Sequence, residues 1–157
     1  MAKRGIVLDI TIDKMHIEHL EEVTEIEQSV YPSPWSINSF SSEIQENSLA
    51  FYFVALLKNK VIGYAGIWII LDEAHITNLA VHPGYQCQNV GSMLLKHLIV
   101  EAFSYGAIRM SLEVRCSNIR AQKLYLRHGF VVRGVRTKYY SDEDALIMWL
   151  DNLGDNL

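Results

Sequence analysis

The stretch from Val81 to Leu95, VHPGYQCQNVGSMLL, constrains this chain more than any other. A β-rich apolar segment containing Ile76, Leu79, Ala80 and Val81 runs into it. Pro83 and Gly84 then break the pattern, and Val90, Met93, Leu94, Leu98 and Ile99 recur at helical spacing. The order is therefore strand, tight loop, helix. The first N–H groups of a helix lack internal partners and its dipole favours negative charge, so such a junction suits an anion. Successive loop amides add a nest around a phosphate. An ordinary α/β turn that binds nothing is the competing reading, since only Gly84 and Gly91 relieve the backbone. The loop is neither a Walker P-loop nor a G-x-G-x-x-G fingerprint, because no Lys-Ser/Thr follows a glycine in the required order.

The rest of the chain narrows the class. At 157 residues, half of them hydrophobic and a fifth charged, it has the size of one globular domain with a single core. A net charge of −4 argues against nucleic acid as the main partner, which normally requires a basic face. Cys87 and Cys116 lie outside any CxxC pattern and fit a reduced, cytoplasmic setting. No signal peptide is expected, since Asp9 and Asp13 interrupt the apolar run that follows Lys3 and Arg4. The run from Val61 to Leu71 is too short to span a bilayer. The six histidines show no ligand spacing, with His75 and His82 isolated along a strand, so no metal is expected.

In chain order, Ile6–Ile12 reads as a strand and Asp13 as the cap of a helix carrying Ile17, Leu20, Val23, Ile26 and Val30. Tyr31-Pro32-Ser33-Pro34-Trp35 ends that helix, and Ser36 caps a second through Phe40 and Ile44. Leu49–Leu57 and Lys60–Leu71 read as a hairpin turning at Lys58-Asn59, followed by a strand over Glu73–Val81. A helix over 89–105 stops at Gly106. Ile108–Val114 follows as a strand parallel to the one before the helix. Ser117-Asn118 opens a short helix closed by His128-Gly129. Phe130–Tyr140 and Ala145–Leu150 make a last strand pair, and residues 151–157 read as a frayed tail. Seven strands and four helices in this order give an α/β fold with a mixed central sheet. That sheet should splay where the strands at 73–81 and 108–114 meet, with a ligand crevice at their carboxyl ends.

Four segments then carry a resemblance: YPSPWS (31–36), DEAHITNLAVHPGYQ (72–86), LEVRCSNIRAQKLYLRHGF (112–130) and YYSDEDALIMWL (139–150). Together they are similar to the GCN5-related N-acetyltransferase (GNAT) superfamily, and within it to the RimI-type ribosomal-protein alanine acetyltransferases. The resemblance implies acetyl transfer from acetyl-CoA to a protein's α-amine, without a metal. It implies that the backbone of Leu79, Ala80 and Val81 holds the pantetheine arm. The family's pyrophosphate motif, Q/R-x-x-G-x-G/A, stands here as Gln86-Cys87-Gln88-Asn89-Val90-Gly91, followed by Ser92. Asn89 replaces the first glycine, and the usual basic neighbours are absent. Asn is among the best tolerated non-glycine residues in left-handed conformations, so a purely dihedral requirement would be met.

By the same resemblance Glu113 is the general base, Tyr125 the general acid and Asn118 a cofactor contact. Tyr31, Trp35, Tyr139 and Tyr140 are candidates for the peptide groove, although Tyr31 and Trp35 could equally staple the core. Asp142, Glu143 and Asp144 are a charged turn or an attractor for a cationic peptide. A related enzyme acting on a small amine or a lysine side chain, and a non-catalytic acyl-CoA-binding module, remain as alternatives. The sequence leaves the oligomeric state open.

Overall fold

The structure, a computed structural model, describes residues 9–157. Its regular elements are β1 (Ile10–Lys14), α1 (Leu20–Val30), α2 (Ile37–Glu46), β2 (Ala50–Leu57), β3 (Lys60–Ile70), β4 (Glu73–Val81), α3 (Val90–Ser104), β5 (Arg109–Arg115), α4 (Ile119–Arg127), β6 (Val131–Arg136) and β7 (Ala145–Leu150). The strands form one seven-stranded sheet in the order β1-β2-β3-β4-β5-β7-β6. It is mixed: β1/β2, β5/β7 and β6/β7 pair antiparallel, whereas β4/β5 are parallel. The expected α/β order and strand count are those observed.

Two compact units divide the chain, 1–65 with 79–95 and 66–78 with 96–157. In the first, α1 and α2 supply Leu20, Val23, Ile26 and Phe40 to a core shared with Met15, Tyr52, Val54, Val61, Tyr64 and Ala80. The amphipathic spacing read from the sequence therefore marks the buried side of α1. Phe40 sits edge-on to Tyr52 and Tyr64, with ring centroids 6.4 and 5.6 Å away. Ser36 caps α2 through its hydroxyl, which accepts from the Ser39 N–H at 3.1 Å. Lys58 and Asn59 both take positive φ (49° and 66°), as a two-residue hairpin turn requires. Gly63 lets α3 close on β3: a Cβ there would lie 3.0 Å from the Ala80 carbonyl and 3.1 Å from Leu94 Cδ1.

In the second unit, Met110, Leu112 and Val114 of β5 are buried, as are Phe130, Met148 and Leu150. Gly106 (φ +95°) ends α3 in a Schellman arrangement, with the Ala107 N–H donating to the Ala102 carbonyl at 3.0 Å. The parallel β4/β5 ladder runs from Glu73↔Arg109 to His75↔Ser111, although both strands continue beyond it. Within this unit the two strands part after their third pair, which matches the expected splay.

Four boundaries differ from the sequence reading. The first strand, expected at 6–12, is observed as 10–14, and its residues 6–8 lie outside the described residues. Asp13 is no helix cap; it pairs with Val54 inside β1. The buried Met15, whose N–H donates to the Tyr52 carbonyl, carries the extended chain past it. A 3-10 turn over Ile17–His19 then leads into α1. β6 ends at Arg136 rather than Tyr140, because Lys138 and Ser141 turn left-handed (φ 50° and 65°). The expected frayed tail is docked: Leu153 is fully buried and its N–H donates to the Ile108 carbonyl at 3.0 Å. Among the described residues no helix is long and apolar enough to cross a membrane.

Candidate active site

In the first unit, the end of β4 and the loop before α3 form a densely hydrogen-bonded corner. The Leu79 carbonyl accepts from the Tyr31 hydroxyl at 2.7 Å, and the Val81 carbonyl accepts from the Gln86 side-chain amide at 3.2 Å. The His82 N–H donates to the Ile62 carbonyl at 2.8 Å, tying the strand end to β3. His82 Nδ1 accepts from the Gly84 N–H at 2.9 Å and holds a 3-10 turn over Pro83–Tyr85. Cys87 and Asn89 both adopt left-handed backbone conformations, with φ of 63° and 65°. The Asn89 carbonyl then accepts from the Met93 N–H at 3.0 Å as α3 begins.

This corner sorts the sequence candidates. Asn89 occupies the conformation for which a glycine would be chosen, and Asn tolerates it better than most residues. Val90 is 1% exposed, so only its backbone faces the loop, and Ala80 is buried likewise. The Gln86 amide turns back onto its own strand. Cys87, Gln88 and Ser92 bring no charge, but Lys60 lies over the Tyr85 ring, 5.3 Å from its centroid. Sequence order gave no hint of that cation beside the loop. Tyr31 and Trp35 pack against the core, Trp35 with its ring 5.3 Å from Phe40, and the Trp35 N–H donates to the Glu27 carboxylate at 2.9 Å. Of the two roles left open for this aromatic pair, the geometry favours the staple.

In the second unit, Glu113 stands on β5 with its side chain only 10% exposed. Its Oε2 lies 3.2 Å from His75 Nε2 and its Oε1 lies 3.6 Å from Arg136 Nε. His75 Nδ1 is 3.1 Å from the Ser111 hydroxyl. Burial lowers the His75 pKa below the ordinary 6.5; the Glu113 charge opposes this shift and Arg136 reinforces it. The ring is therefore neutral at pH 7. His75, Ser111 and Arg136 were missed by sequence reasoning. The parity of β4 and β5 contained the signal, but only their register brings it out.

Tyr125 projects from α4 into the interior, 6% exposed and edge-on to Phe130 at 5.5 Å. Burial, and then the neighbouring Tyr140, push its pKa well above the usual tyrosine value, so its proton stays in place at any physiological pH. Asn118 caps α4, its side-chain oxygen accepting from the Ala121 N–H at 3.2 Å. Tyr139 and Tyr140 pack perpendicular to each other at 4.9 Å in the turn between β6 and β7. The Arg115 guanidinium sits 4.3 Å from the Tyr140 ring centroid, and burial pushes the Tyr140 pKa up to about 12. Tyr139 is half exposed and remains available to a ligand.

The carboxylates of the acidic turn are engaged in hydrogen bonds. Asp142 and Glu143 both accept from Arg115, at 2.9 and 3.0 Å, and Glu143 also accepts from the Ser117 N–H and hydroxyl. Asp144 accepts from the Lys138 N–H at 2.7 Å. These carboxylates shape the loop that carries the tyrosine pair, which favours the charged-turn reading over attraction of a cationic peptide.

Comparison with known proteins follows the same lines. Residues 20–130 match the acetyltransferase (GNAT) family. A Bacillus subtilis (strain 168) relative, provisionally named a ribosomal protein bS18-alanine N-acetyltransferase, is 43% identical over 141 residues, 88% of this chain and 93% of that protein. The crystal structure of the ribosomal-protein-S18-alanine N-acetyltransferase from Escherichia coli superposes with a TM-score of 0.83 at 37% identity, covering 91% of this chain and 94% of that one. At the level of fold alone, the PaiA N-acetyltransferase from Thermoplasma acidophilum in complex with coenzyme A matches with a TM-score of 0.73 at 23% identity, over 91% and 99% of the two chains.

Proposed function

The chain belongs to the GNAT acetyltransferase family, and from that premise we propose that it transfers the acetyl group of acetyl-CoA to the amino-terminal alanine of ribosomal protein bS18. Near-full-length similarity to relatives bearing that name supports the acceptor. The observation that carries the chemistry is the largely buried Glu113 carboxylate, held between His75 and Arg136. An α-amine titrates near pH 8, so a single carboxylate, directly or through water, suffices to take its proton. In this reading Glu113 is that base. The attacking amine displaces CoA thiolate, and Tyr125 is the proposed acid for the departing sulfur: its hydroxyl is protonated and can give that sulfur a proton, although burial makes it a weaker acid than an ordinary tyrosine.

The residues around β4 and α3 fit the cofactor by their donor chemistry. Left-handed Cys87 and Asn89 ahead of a helix N-terminus give a backbone nest for a pyrophosphate. On β4, the Asn78 side-chain oxygen is buried and accepts no hydrogen bond. A buried acceptor left unpaired costs about 1–3 kcal/mol, and the amide N–H groups of a pantetheine arm are donors of the kind it lacks. Acetyl-CoA supplies the activated acetyl group when bound. Asn118 and the Leu79–Val81 backbone remain its proposed contacts, and Tyr139 with Tyr140 the proposed contacts of the acceptor peptide. The free thiols of Cys87 and Cys116 suit a cytoplasmic site of action.

The test is thiol release from acetyl-CoA with a peptide beginning Ala-Arg and its amino-blocked control. Release only with the free terminus is expected; equal release with both peptides would overturn α-amine transfer. A second experiment bears on the loop. Asn89→Gly is expected to hold or improve acetyl-CoA affinity by calorimetry, since glycine adopts a φ near 65° without strain. A collapse in affinity would show that the Asn89 side chain itself contacts the cofactor.

A further inference from the structure

The β4/β5 register sets His75 directly opposite Ser111, and Glu113 follows two residues later on the same face of β5. The three side chains form a line: Ser111 Oγ to His75 Nδ1 at 3.1 Å, then His75 Nε2 to Glu113 Oε2 at 3.2 Å. A carboxylate can only accept, so the neutral ring carries its proton on Nε2, and Nδ1 takes the Ser111 hydroxyl proton as a hydrogen bond. One tautomer satisfies both neighbours.

We propose that His75 is the positioning residue of this site, orienting the Glu113 carboxylate through Oε2 so that Oε1 meets the substrate amine, and disarming it when the imidazole becomes protonated. The inference rests on the reading of Glu113 as base. The Arg136 Nε contact to Oε1, at 3.6 Å, is longer than a hydrogen bond and leaves that oxygen open to an acceptor. Protonation of His75 would place a second cation against the carboxylate, and an ion-paired carboxylate is a weaker base. Among the described residues, the groups that face His75 are Glu113 and Ser111 from β5, the Trp68 ring from β3 at 6.3 Å, and the Arg136 charge from β6. Burial and Arg136 hold the ring neutral at pH 7, so the positioned state is the one present under ordinary conditions.

The experiment measures kcat and KM across pH for the wild type, Glu113→Gln, His75→Ala and His75→Gln, with melting temperature as the fold control. His75→Ala is expected to lower kcat on the order of ten- to a hundredfold with the acetyl-CoA KM unchanged, because a misplaced base loses alignment. Gln places an N–H near the position of Nε2 but does not titrate. His75→Gln is therefore expected to recover most of kcat while the acid limb of the profile moves to lower pH. An alanine variant with the wild-type rate, or a glutamine variant whose acid limb stays in place, would overturn the proposal. Should Glu113→Gln itself retain the wild-type rate, the assignment of the base fails instead, and the two failures are told apart by that variant.

Discussion

Glu113→Gln is expected to slow acetyl transfer at neutral pH by at least about a hundredfold, the lower end of what a positioned general base contributes. The substitution keeps the size of the side chain and an oxygen for the His75 N–H, but removes the lone charge able to take the amine's proton. Acetyl-CoA affinity should hardly change, because the residues proposed to bind the cofactor are the β4 end, the loop before α3 and Asn118, none of which Glu113 supports. Raising the pH should recover part of the loss, since more of the α-amine is already deprotonated above its pKa near 8. Rates equal to wild type at every pH would remove Glu113 as base and leave a chain of ordered water to perform the step.

Glu27→Ala should be the most damaging single change to stability among the polar contacts of the first unit. Glu27 is 2% exposed, accepts from the Tyr64 hydroxyl through one carboxylate oxygen, and accepts from the Trp35 N–H through the other at 2.9 Å. Tyr64 is itself fully buried, and burial together with the Glu27 charge raises its pKa, so its hydroxyl remains a donor that must find an acceptor. Truncation strands two donors at once, at about 1–3 kcal/mol each. For a chain of this length that corresponds to a fall in melting temperature on the order of 10 °C. Glu27→Gln keeps one acceptor oxygen and is expected to lose about half as much. Thermal melts of both variants check the order, and an alanine variant melting with the wild type would show that the two donors find other acceptors.

The two predictions mark what the sequence could and could not convey. Element identity was legible because the periodicities are strong: the α1 residues Leu20, Val23 and Ile26 are spaced as a buried helical stripe, and all three are buried. Turn chemistry was legible at Asn59 and Gly106, where the residue types suit the dihedrals observed. Strand ends were not, because they depend on partners distant in sequence. β1 runs past Asp13 as its pairing with β2 continues to Lys14↔Phe53, and β6 stops early where Asp144 captures the Lys138 N–H. The site followed the same division. Glu113 and Tyr125 were singled out as candidates through local motif, whereas His75 looked like an isolated strand histidine until register placed it 3.2 Å from the Glu113 carboxylate. For Asp142 and Glu143 the sequence left a charged turn and an attractor for a cationic peptide both open, because their counter-ion, Arg115, lies 27 and 28 residues away.

The measurement that bears most directly on the central claim is the position of the transferred acetyl group. A peptide beginning Ala-Arg and carrying an internal lysine, incubated with acetyl-CoA and the protein, would be sequenced by tandem mass spectrometry. Acetylation confined to the α-amine of the first residue, and lost in the Glu113→Gln protein, is the result expected here. Acetyl on the lysine side chain with a free amino terminus would contradict it, leaving a family member that works on a different amine.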